Sequence, residues 1–115
     1  MHPCLLDYAA ELNPLTHYIL VRADLPLGIQ AAQVAHAAGE SSPSNLSAGT
    51  YTVILAAKNE RELVQHADAL RRAGVAFSAI FEPDPPYDGA LMALGLVPAR
   101  KEALKRHLSC LPLLR

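Results

Sequence analysis

Residues 17–22 (HYILVR) form a short run of apolar and β-favouring side chains, without the alternation of a half-exposed strand. This pattern predicts a strand buried on both faces. The stretch ADLPLG then bends the chain and ends at Gly28. From Ile29 to about Gly39, the residues IQAAQVAHAAG favour helix through their alanines. Ala31, Val34, Ala35 and Ala38 recur at i, i+3, i+4 and i+7, which predicts a narrow core face able to approach a sheet closely. Residues 41–50 (SSPSNLSAGT) are rich in turn formers and read as a mobile loop.

Residues 51–57 (YTVILAA) predict a second strand. Asn59, with Glu62 three residues later, resembles a capping box. Leu63, Val64, Ala67 and Leu70 continue at helical spacing, and Gly74 is a natural stop. Residues 75–81 predict a third strand, 82–89 (EPDPPYDG) a proline-stiffened acidic loop, and 90–97 a fourth strand. Pro98 opens a final helix over 99–108, docked by Leu104, Leu108 and Leu111. Residues 1–16 read as an appended arm in which Leu5, Leu6, Ala9, Ala10 and Leu12 can form a short amphipathic turn stopped by Pro14. The domain proper is 17–115. Its order, β-α-β-α-β-β-α, predicts an α/β fold: a mixed four-stranded sheet flanked by helices, with right-handed crossovers.

Composition fits one folded domain: 115 residues, 51% hydrophobic and 18% charged. The formal net charge of −1 excludes a generic basic nucleic-acid coat. The charge is unevenly spread, however. Arg100, Lys101, Lys105, Arg106 and Arg115 face only Glu102 in the last segment, so a local basic surface is expected. Cys4 and Cys110 make neither a CxxC pair nor a metal pattern. No secretory leader is visible, and no apolar run approaches the roughly 20 residues that span a membrane. The expectation is a cytoplasmic protein without a membrane partner.

Three places can carry chemistry. The start of the first helix, from Asp24 to Gly28, offers N–H groups that attract phosphate or developing negative charge. An ordinary tight turn is the competing reading. Ile29, Gln33, His36 and Glu40 share one helix face, on which Gln33 and His36 stand out among alanines. His36 is suited to carry a proton near neutral pH; tying the helix to a loop is its competing role. The acidic loop supplies Glu82, Asp84 and Asp88. Their spacing fits no calcium loop, so no metal is expected, and Glu82 lies where α/β sheets place ligands. Glu82 is the candidate to activate water.

The run YILVRADLPLGIQAAQVAHAA resembles the opening strand and first helix of type-2 peptidyl-tRNA hydrolases, most clearly in Ala31-Ala32-Gln33 through His36-Ala37. YTVILAAKNERELVQHADALRRAGVAFSAIFEPD and LMALGLVPARKEALKRHLSCLPLL resemble the family's later elements, so the likeness spans residues 17 to 114. It implies cleavage of the ester between a peptide and the 3′ end of tRNA, by a compact and often dimeric domain with no required cofactor. The corresponding positions are Gln33, His36 and Glu82, the last standing where the family has aspartate. Two positions depart. Ile29 occupies the family's lysine position, and the loop after Glu82 is shorter and holds no threonine.

Two readings follow. In the first, the chain is an esterase on acylated tRNA. Glu82, Gln33 and His36 form the catalytic set, and Gly28 and Asp24 lie at the helix start. Arg22, Lys58, Arg71, Arg72, Arg100, Lys101 and Lys105 are candidate phosphate contacts, each with plain surface charge as the alternative. In the second, it is a catalytically inactive relative kept as a binding or dimerisation module. The missing lysine favours the second, and retention of Gln33, His36 and Glu82 favours the first.

Overall fold

Strand β1 (Leu15–Arg22) is buried over six of its eight residues, and the rest of the sheet is built outward from it. The computed structural model describes residues 14–115. After β1 come α1 (Leu27–Ser41), β2 (Tyr51–Ala57), α2 (Glu60–Arg72), β3 (Phe77–Glu82), β4 (Ala90–Leu96), β5 (Ala99–Arg100) and α3 (Lys101–Leu108). The sheet order is β2-β1-β4-β3. β1 and β2 are parallel, in register from Thr16↔Tyr51 to Arg22↔Ala57. β4 runs antiparallel to both β1 and β3. The carboxyl ends of β1, β2 and β3 therefore share one edge of the molecule. The rest of the expected arm, residues 1–13, lies outside the described residues; Leu15 and Thr16 belong to β1.

The sheet has five strands where four were expected. Ala99 and Arg100 pair with Thr16 and Leu15, so the last helix starts at Lys101 rather than at 99. Between Ile19↔Gly95 and Thr16↔Ala99 the β4–β5 chain carries one residue more than β1. Pro98, which has no N–H to donate, falls in this stretch.

The two faces of the sheet are covered differently. α1 covers one, over Ile19, Val21, Ile80 and Ala93. α2 and α3 cover the other, where Leu63, Leu70, Leu104 and Leu108 meet Tyr18, Leu20 and Leu94. α2 has both expected ends. The Asn59 side chain accepts the Glu62 N–H at 2.9 Å. Gly74 takes φ 75°, and the N–H groups of Gly74 and Val75 close on the carbonyls of Arg71 and Leu70. At the C-terminus, Ala56 N–H donates to Pro112 and Leu114 N–H donates to Ile54, which covers half of the outer edge of β2.

α1 is rotated from the expected face. Gln33, Ala37 and Ser41 are buried, Val34 and Ala38 half-buried, and Ala31 and Ala35 exposed. Alanine on every side gives little contrast, so polar side chains with partners in the protein set the rotation. Ser41 Oγ donates to the Ala37 carbonyl at 2.7 Å and lies 2.7 Å from His17 Nε2. With the serine proton committed, the buried imidazole donates its Nε2–H to Ser41 Oγ. Gly95 passes directly beneath. A Cβ there would run into the Ala37 carbonyl oxygen and Ser41 Oγ.

Gly95→Ala therefore forces α1 off the sheet and lowers unfolding free energy by about 1–3 kcal/mol, measurable by urea denaturation. Burial holds the His17 imidazole below its ordinary value. Its contribution to stability is full above pH about 6.5, and it is lost as pH falls from there through the lowered folded value. The urea midpoint should drop between pH 7.5 and 5, and His17→Gln should remove part of that drop.

Candidate active site

α1 leaves β1 through the turn at residues 23–26 and carries Gln33, in its second turn, back over the sheet toward β3. β3 ends at Glu82. Gln33 Nε2 lies 3.4 Å from Glu82 Oε2, joining residues 49 apart in sequence. A carboxylate can only accept, so the amide nitrogen faces it. The other end of the amide, Oε1, is buried without a hydrogen-bond partner. Gln33 is 5% exposed, and among the described residues this oxygen is the one buried side-chain polar atom without a hydrogen-bond partner.

Glu82 is half-buried, and its second oxygen accepts the Asp84 N–H at 3.3 Å. Both contacts are long and come from neutral donors. The backbone is held more tightly. Gly89 N–H donates to the Glu82 carbonyl at 2.7 Å, and the N–H groups of Tyr87 and Asp88 turn back to Asp84. Asp88 and Gly89 take positive φ to close the loop. Asp84 and Asp88 are exposed turn residues. Among the described residues no cluster of His, Cys, Asp or Glu is arranged to hold a metal. Nor is any helix there long and apolar enough to cross a membrane.

The family model for peptidyl-tRNA hydrolase PTH2 matches residues 15–114. A protein named peptidyl-tRNA hydrolase from Methanopyrus kandleri is 34% identical over 114 residues, covering 84% of this chain and 96% of that protein. The chain belongs to the peptidyl-tRNA hydrolase PTH2 family.

In this family member the sequence-derived residues divide into separate places. Gln33 and Glu82 meet. His36 is exposed and makes no side-chain hydrogen bond among the described residues. Gly28 lies within the first turn of α1, not in a bend; a Cβ there would meet nothing within 4 Å. The bend is held instead by Gln30, whose amide donates to the carbonyls of Leu25 and Ala23. Pro26 caps the helix with no side-chain hydrogen bond, and the first internal bond is Gln30 N–H to Pro26. Among the described residues the N–H groups of Leu27, Gly28 and Ile29 have no partner. Ile29, half-buried, lies one turn before Gln33 on the same side.

The basic residues are split between the two edges of the sheet. Arg22 and Lys58 end β1 and β2 at the Glu82 edge. Lys58 is exposed, whereas the Arg22 guanidinium is committed to Asp24 through two 3.0 Å bonds. This pairing raises the Arg22 pKa and lowers that of Asp24. Arg22 also donates to the Leu91 carbonyl at 3.2 Å, and Glu60 accepts the Leu91 N–H at 2.7 Å. Sequence reasoning missed this clamp, because it satisfies a β-bulge where β4 slips against β3. Arg71, Arg72, Arg100, Lys101 and Lys105 lie toward the opposite edge. Arg71 there pairs with Asp68 and stacks 5.5 Å from the Phe77 ring centroid.

Arg22→Lys keeps the charge but loses the planar fork that serves Asp24 and Leu91 together. It should lower stability by about 1–3 kcal/mol in urea unfolding. Lys58→Gln, at an exposed side chain, should change stability by less than about 0.5 kcal/mol.

Proposed function

We propose that this chain hydrolyses the ester joining a peptidyl or blocked aminoacyl group to the 3′ end of tRNA, releasing free tRNA. The reading is carried by the Gln33–Glu82 contact: a carboxylate steadied by an amide whose own oxygen is buried and open. Glu82 takes a proton from water as the oxygen attacks the ester carbonyl. The carbonyl–ribose oxygen bond then breaks, and the ribose oxygen leaves with that proton. Gln33 Nε2 holds the Glu82 carboxylate in position for that attack. The open N–H groups at the start of α1 supply positive potential near the developing oxyanion. Membership of the family supports tRNA as partner, and a cytoplasmic homodimer goes with the same reading.

Ile29 favours the second reading, a binding module, because it brings no charge to the position where the resemblance implies lysine. Turnover of N-acetylated aminoacyl-tRNA by purified protein separates the two. The wild type should release free tRNA, and Glu82→Gln should reduce kcat about 10²- to 10⁴-fold with tRNA binding retained. Wild-type turnover no faster than buffer, or a Glu82→Gln variant as fast as wild type, removes the hydrolase reading.

A further inference from the structure

At the end of β1 remote from Glu82, a cavity of about 360 Å³ opens between the starts of β1 and β2 and the first turn of α3. An eight-residue strand separates the two places by about 23 Å. Arg100 and Lys101 bring two cations to its wall, against the single carboxylate of Glu102. Among the described residues α3 begins there with no side-chain cap, and the first-turn N–H groups of a helix have no partner within it.

Thr16 lines the same cavity. It is 4% exposed and adds a hydroxyl to the residues that line the cavity. Guanidinium, ammonium, free amides and a hydroxyl together are the donor set for phosphate oxygens. Tyr51, paired with Thr16 in the sheet, is 63% exposed at the cavity wall and offers a ring face beside these donors. Exposed aromatic rings next to cationic groups take unpaired bases of single-stranded RNA.

We infer that this cavity is a phosphate subsite for an RNA strand, with an adjoining base stacked on Tyr51. That the strand is tRNA rests on the proposed function; the phosphate chemistry does not. The subsite engages the RNA several nucleotides away from the ester, so its contribution is to affinity and placement.

Binding of deacylated tRNA, followed by fluorescence anisotropy over a salt series, tests the inference without any hydrolysis. Failure of the esterase reading therefore leaves this test intact. The Arg100→Gln/Lys101→Gln double variant should bind about tenfold more weakly, with a log–log salt slope shallower by about one to two. Tyr51→Ala should weaken binding about tenfold with the slope unchanged, and Thr16→Val should weaken it a fewfold. Arg61→Gln/Arg106→Gln removes the same charge from exposed sites outside the cavity; an equal loss there reduces the effect to net charge and overturns the subsite. Inorganic phosphate and adenosine monophosphate, titrated while the backbone amides of Lys101 and Glu102 are followed by NMR, separate the sources. Shifts that tRNA reverses by competition support the strand. Shifts that tRNA leaves in place overturn the RNA occupant in favour of a free nucleotide or phosphate.

Discussion

Helix α1 meets β4 where the strand has no side chain at all. Gly95 lets the Ala37 carbonyl and the Ser41 hydroxyl rest almost on the strand backbone, and the buried His17–Ser41 contact fixes the helix's rotation about its own axis. Gln33 lies one turn before Ala37, so the same seat that brings Ala37 onto Gly95 turns Gln33 inward toward the end of β3. A wider crossing would need a larger side chain at 95 and would lift the Gln33 amide from Glu82, whose contact is already 3.4 Å. Close packing at one end of the helix thus sets the polar geometry at the other.

The carboxyl edge of the sheet is crowded with charge, and most of it is spent internally. Arg22 and Asp24 neutralise each other, and Arg22 and Glu60 together satisfy the carbonyl and N–H that the bulge at Leu91 frees. The same bulged segment pairs with Phe81 and Glu82, so the clamp also fixes where β3 ends. Glu82 differs from these groups in having neutral, distant donors and no cation at hydrogen-bonding range.

Much of this was legible in the sequence, for local reasons. Asn59 and Glu62 announce the start of α2 and Gly74 its end, because caps are written within a few residues. β1 shows itself by being apolar on both faces. Glu82 stood out as an acid directly after a strand, and Gln33 as an amide among alanines, which is why their meeting was anticipated across 49 residues. What was not legible depends on pairing between distant segments. The rotation of α1 hides in a helix that is nearly as apolar on one side as on another. β5 exists only because Leu15 and Thr16 are there to receive Ala99 and Arg100. The commitment of Arg22 follows from a bulge that no local pattern records. The division of cations between two edges follows from topology, so a basic residue near in sequence to the site can end up a strand's length away.

Chain order and sheet order disagree in a way that bears on biosynthesis. β4 lies inside the sheet, between β1 and β3, yet it follows both in the chain, and among the described residues the outer edge of β2 is covered by residues 112–114. While the ribosome still holds those segments, β1 and β2 can pair, but β1 has no neighbour on its other side and Gly95 is not yet there to seat the first helix. The sheet therefore closes only once β4 has joined it. Until then the nascent polypeptide presents bare strand edges that a holding chaperone would recognise.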